Sequence, residues 1–470
     1  MSDVAQQYIV SDLVSARNLM AERIGEMLTE PDLEKIPDTP NTVRLEIEIE
    51  NFPDLSGWLA CQSATGNIYW SSRDESFAMA ALGCSDVLTL EGDETTAHLI
   101  GRVEDKLRGG SDRLRYYGGL AFNGDPNREN IRISEGTWDK FGRGRFVLPR
   151  FELVKSEQTG YFACNIDLSR DRTNRDTILR ELATINDNDR LPDNIGIETI
   201  RGDDCPDRES WPAIFDAALK EICSDHLDKV VLARQTSFDL NNHLTPEIVF
   251  DQLVRNTSHC FHFCFQPDSG TTFMGASPEL LYRRDGAEIK SEAIAGTRAR
   301  GADESSDLEM ERQLLASEKE FREHRLVVTG IREALADLCS DVSGGEEIGI
   351  VKLPRVQHLI STMRGKLLPS IGDAAIISSL HPTPAVGGYP SAQALELIDR
   401  LEPFDRGWYA SPVGWIGNEA AEFAVAIRSG LIADGTLDLY SGAGLVDGSI
   451  AGDEWTEIES KIAGFLKAIS

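Results

Sequence analysis

What most limits the fold of this chain is a succession of strand-like runs with few helices between them. TVRLEIEIE alternates apolar and polar residues from Thr42 to Glu50. YYGGLAF, RFVLPRFELV and GYFACNI follow in the first half, and KVVLARQTSF, FHFCF, LLYRR, FAVAIRSGLI and LDLYSGAG in the second. Period-two alternation with β-branched and aromatic residues is the mark of a half-buried strand. Helical spacing is confined to an opening stretch from about Val10 to Leu28 and to 172–186, 245–255, 304–338, 391–402 and 453–468. Strands that follow strands, with helices inserted in blocks, predict an α+β fold and not a βαβ repeat. Its form is expected to be large antiparallel β-sheets packed as a sandwich with helices on the outside. The most linker-like piece is acidic: NDNDRLPDNIG, then RGDDCPDRES, near 187–210. It divides residues 1–195 from 205–470, either as two domains or as two halves of one continuous unit.

The charge excludes several functions. With 47 Lys and Arg against 78 Asp and Glu, the formal net charge is −31, so nucleic acid and anionic membrane surfaces are excluded as partners. Acid is spread over the whole length and arginine outnumbers lysine, as in a surface solvated for high salt. No apolar run is long enough to span a membrane, and the first twenty residues lack the basic-then-apolar pattern of a secretory signal, so a cytoplasmic protein is expected. The eight cysteines have no paired spacing and read as reduced thiols. Cys260, His262 and Cys264 share one face of a strand. Positions two apart are separated by about 6.6 Å along a strand, too far for all three to hold one zinc at about 2.0–2.3 Å, so packing is the expected role.

Chemistry concentrates after the acidic stretch. In YSGAGLVDGSIAGDEWTEIESK, helical spacing sets Glu454, Glu457 and Lys461 on one face just after a loop in which Gly442 and Gly444 let backbone N–H groups approach an anion. Glu320 and Glu323 repeat the spacing in SEKEFREHRLVV, so four carboxylates from two helices could share one hard cation. Lys229 opens the apolar strand KVVLAR, either as a snorkelling edge residue or as a buried amine able to act as a base. Glu279 follows a proline in SPELL and reads either as a turn carboxylate or as a functional acid. Gly296 and Thr297 in SEAIAGTRARG form either a plain turn or a set of donors for a carboxylate. The rigid loop LHPTPAVGGYP either turns the chain or lines a tight pocket with His381 and the small residues from Ala385 to Gly388.

In this order DKVVLAR, SPELL, AIAGTRARG, LLASEKEFREHRLVV, HPTPAVGGYP, EPFDRGWYASPVGW, AIRSG and SGAGLVDGSIAGDEWTEIESK resemble the chorismate-utilising enzymes, densely over roughly the last 260 residues. The resemblance implies that family's fold, chorismate as substrate and Mg2+ as cofactor. It also implies roles. Lys229 matches the general base that activates water, and Glu279 the general acid that protonates the departing hydroxyl. Glu323 and Glu457 match direct magnesium ligands, and Glu320 and Glu454 the carboxylates that hold the metal's waters. Arg428, Gly442 and Lys461 resemble the clamp on the substrate carboxylates, with Gly296 and Thr297 beside it.

Within the family, aminodeoxychorismate synthases place a nucleophilic lysine where this chain has Ala295, and anthranilate synthases an amide at the position of Lys229. Lysine as base, alanine in AIAGT and the HPTPAVGG loop together resemble the isochorismate synthases. Salicylate synthases share the lysine but depart at that loop, and remain the alternative. If water is the nucleophile, no glutaminase subunit is required. A menaquinone route is expected over a siderophore route.

Overall fold

The computed structural model describes residues 8–29, 41–124, 136–157, 159–191, 196–224, 226–240, 245–353 and 355–470. The fold is α+β. Every ladder is antiparallel except the short parallel contact of Ile9–Val10 with the strand Thr42–Ile49, and the pairings join all the strands into one continuous network. Helices lie against its faces. Among the described residues no helix is long and apolar enough to cross a membrane.

The longest ladders are Phe77–Thr89 with Gly144–Ser156, Glu288–Ala299 with Val356–Leu367, and Thr436–Leu445 with Lys229–Leu240. Ladders also tie the early part of the chain to the late part. Ile68–Ser71 pairs with Phe261–Asp268, and Arg115–Leu120 with Pro412–Gly417. The interior between them is aromatic. Trp408 meets Phe141 edge-on at 5.0 Å between ring centres and Phe265 at 5.7 Å, while Trp138 meets Phe273 at 5.2 Å. Such edge-to-face contacts satisfy the ring quadrupoles as well as excluding water.

Four expectations are corrected. The acidic stretch is not only a linker, because Thr199–Cys205 forms a strand hydrogen-bonded to Lys229–Leu240. The helical run 304–338 is two helices, Glu304–Ala316 and Glu318–Leu338. Ser317 breaks it by taking an extended backbone and accepting a hydrogen bond from the Glu320 N–H, so that it caps the second helix. FAVAIRSGLI is likewise two strands, Ala420–Val425 and Ser429–Ala433, separated by a turn in which Arg428 has φ of +51°. SEAIAGTRARG is not a plain turn but part of the strand Glu288–Ala299. Its pairing register shifts between Ala295 and Thr297, with Gly296 at φ of +81°. An extra residue in one strand re-aims the side chains beside it.

The triad Cys260, His262 and Cys264 is buried. His262 is held between Ser71 Oγ (3.1 Å) and Thr257 Oγ1 (2.8 Å), which accounts for it as a packing residue.

Candidate active site

Two helices present the glutamates through the same device. In Glu318–Leu338 the buried face is His324, Val327, Ile331, Leu335 and Leu338, a stripe of three- and four-residue steps. Glu320 and Glu323 prolong that stripe toward the N-terminus, so packing the helix on the sheet aims both carboxylates inward. In Ala451–Ile469 the stripe of Ile458, Ile462 and Phe465 is prolonged by Glu454 and Trp455. The strands supply the rest. Lys229 is the first residue of its strand and is fully buried. Glu279 follows Pro278 between two strands, its N–H donating to Ser277 Oγ (3.2 Å) and its carbonyl accepting from Val425 N–H (3.0 Å).

A cavity collects most of the expected residues. Glu279, Gly296, Thr297, Glu323, Ala385, Arg428, Gly442, Glu457 and Lys461 all line it. Lys229 lies directly behind, with Nζ 2.9 Å from Glu323 Oε1 but at an angle that makes no hydrogen bond. Gly444 permits this approach, because a Cβ there would stand 2.5 Å from Glu323 Oε1 and 3.0 Å from Lys229 Cε. Glu320 and Glu454 do not line it, Glu320 accepting from Thr297 N–H behind the wall and Glu454 pairing with Lys319, and His381 is elsewhere. His381 lines a different cavity, edge-on to Phe122 at 5.6 Å. The turn that begins at His381 points its imidazole away while bringing Ala385 and Val386 into the wall.

The electrostatics are those of buried groups in opposition. Burial pushes the Glu279 carboxyl up to about 8, with Lys229 pulling it back and Glu292 adding to the rise. Glu279 Oε1 has no hydrogen-bond partner. Burial and then Glu323 raise Glu320 to about 7, although Thr297 N–H donates to its Oε2 at 3.0 Å. Burial also raises Glu454, against the pull of Lys319 Nζ at 2.8 Å from Oε1. Glu457 is held low. Burial works against it, but Lys461 Nζ lies 2.7 Å from its Oε1 and outweighs that cost. Lys461 Nζ also donates to the Gly442 carbonyl at 2.8 Å.

Several lining residues were not singled out from the sequence, His358 because it reads as an ordinary strand residue and Tyr409 and Tyr440 because they stand inside longer motifs. His358 is buried and pushed down to about 3 by burial and by Arg428 and Lys461. Its Nδ1 lies 3.0 Å from Thr297 Oγ1. Tyr409 and Tyr440 stack at 5.5 Å to make one wall. Lys319 was visible in SEKEF as a charge between two glutamates, which could have marked it as a counter-ion.

Among the described residues no three His, Cys, Asp or Glu side chains converge tightly enough to hold a metal ion as they stand. The donors nevertheless suit one. They are carboxylate oxygens, the preferred ligands of a hard divalent cation. Glu320, raised first by burial and then by Glu323 and Glu457, carries a share of mutual repulsion that such a cation would relieve. Glu323 and Glu457, the two expected direct ligands, are now engaged by Lys229 and Lys461.

The chain belongs to the chorismate binding enzymes, whose family model matches residues 32–470. Two bacterial relatives cover nearly all of it. The isochorismate synthase MenF of Bacillus subtilis (strain 168) is 31% identical over 443 residues, 90% of this chain and 92% of that protein. That of Haemophilus influenzae is 30% identical over 464 residues, 98% of each. A solved structure of MenF, the menaquinone-specific isochorismate synthase from Escherichia coli, superposes with a TM-score of 0.82 at 27% identity, over 97% of this chain and all of that one.

Proposed function

We propose that the protein is a magnesium-dependent isochorismate synthase, converting chorismate to isochorismate for menaquinone biosynthesis in the cytoplasm. The carrying observation is Glu279, a fully buried carboxyl held to about 8 on the wall of the cavity that Lys229 backs. A carboxyl with that value keeps its proton at neutral pH and can give it away. The names and coverage of the relatives support the choice of reaction.

Chorismate is a small dianion. Lys229 takes a proton from water as the water oxygen bonds to C2. Both ring double bonds shift, C1=C2 to C1=C6 and C5=C6 to C4=C5, and the C4–O bond breaks as Glu279 donates its proton to the leaving hydroxyl, which departs as water. The net change is transfer of a hydroxyl position with no oxidant or co-substrate. Arg428 and Lys461 hold the carboxylates, with the Gly442 and Gly296–Thr297 backbone close enough to fix the ring between base and acid. Magnesium, held by Glu323 and Glu457 with Glu320 and Glu454 on its waters, would neutralise the substrate's charge beside four glutamates. Water as nucleophile leaves no role for a glutaminase subunit.

Incubation with chorismate and magnesium, followed by chromatography, tests the reading. Isochorismate as the accumulating product is expected. Salicylate with pyruvate would make the protein a salicylate synthase, and anthranilate formed only with added ammonia would refute water as the nucleophile.

A further inference from the structure

A second, larger cavity of about 830 Å3 opens on the other side of Arg428. It lies between the turns carrying Arg300 and Arg355 and the C-terminal half of the helix Ala451–Ile469, with Leu353 and Phe465 among its apolar walls. Among the described residues four cations line it, namely Arg300, Arg355, Arg428 and Lys467, and no aspartate or glutamate side chain does. On a chain of net charge −31 this is the reverse of the average surface.

The four are not equivalent. Arg300 is neutralised by Asp307 at 2.6 Å. Arg355 and Lys467 are exposed and have no ion pair among the described residues, so their charge is available to an incoming anion. Arg428 lines both this groove and the catalytic cavity. Its backbone sits at φ of +51°. A non-glycine residue adopts that conformation only under constraint, and the strands ending at Val425 and starting at Ser429 hold it there.

We propose that this groove is the entry path of the dicarboxylate substrate, with Arg355 and Lys467 capturing the anion at its mouth and Arg428 passing it into the catalytic cavity. The proposal rests on the chorismate reading above.

The test uses the full-length enzyme with magnesium and chorismate, and the variants Arg355→Glu, Lys467→Glu and their double. Arg108→Glu is the control; this exposed residue lines neither cavity and makes the same change in net charge. Circular dichroism and Tm verify that all four fold. Each groove reversal is expected to lower kcat/KM about three- to tenfold and the double to multiply the effects, with kcat within twofold, while the control keeps both constants. An unchanged kcat/KM in the double variant, or an equal loss in the control, would overturn the entry path while leaving the reaction assignment standing. A wild type that does not turn over chorismate overturns both.

Discussion

Lys229 and Glu279 are ordinary residues that one sheet buries at a single cavity, Glu279 on its wall and Lys229 behind it, and the proposed roles of base and acid rest on that placement. Neither lies in an unusual motif; burial raises the Glu279 carboxyl, and the neighbouring Lys229 works against that rise. Lys229→Ala is expected to lower turnover by about 10²–10⁴ with the fold intact, which circular dichroism and steady-state rates would check together; near-normal turnover would remove the amine from catalysis. Glu279→Gln keeps the shape and loses the proton, with a similar expected fall. The pH dependence has a definite sign. A carboxyl held at about 8 is protonated below that value, so turnover by the wild type should decline as pH rises through about 8. A pH–rate profile lacking that alkaline limb would refute Glu279 as the acid. Lys229, Glu279, the two glutamate pairs, Arg428 and Lys461 were all legible in the chain. His358 and Tyr409 were not, because a single histidine in a strand or a single tyrosine in a turn has no spacing to distinguish a cavity wall from core.

At the scale of elements, the site depends on where two helices begin and where glycine lets strands come close. Gly444→Ala should retain the strand, since its backbone needs no special conformation. The new Cβ would stand 2.5 Å from Glu323 Oε1 and force the Lys229–Glu323 pair apart. A fall of about 10²-fold in turnover at unchanged Tm is the expected outcome. Glu323→Gln or Glu457→Gln should raise the magnesium concentration needed for half-maximal activity and lower the maximum together. A magnesium titration that superposes on the wild type would exclude the pair as ligands. The break at Ser317 escaped the sequence because EKEFREHRLVV continues the apolar period of the preceding helix. Only a serine that takes an extended backbone and caps the second helix marks the boundary. The strand Glu288–Ala299 was hidden by its glycine, which in isolation signals a turn but here makes the bulge that brings Thr297 N–H to Glu320.

For the whole molecule, the decisive fact is that ladders join distant parts of the chain. A fragment of residues 205–470 would expose the edges of Phe261–Asp268 and Pro412–Gly417, which pair with Ile68–Ser71 and Arg115–Leu120. Unpaired edges of this kind aggregate, so the fragment is expected to be insoluble or unfolded by circular dichroism. A soluble, cooperatively melting fragment would show the two halves to be independent domains. The charge of −31 makes a second prediction. Self-repulsion should lower Tm in dilute buffer and raise it as salt screens the surface. A Tm independent of salt would remove high salt from the account.

From the chain alone came the class of fold, the order of the motifs and the residue types of the chemistry, because alternation, helical spacing and charge are local properties. The burial that raises the Glu279 carboxyl, the burial of Lys229 behind Glu323, the placing of His381 in a different cavity and the cationic groove beyond Arg428 were decided only by the tertiary structure. Each depends on the dielectric and the neighbours that distant segments bring together, which no local pattern contains.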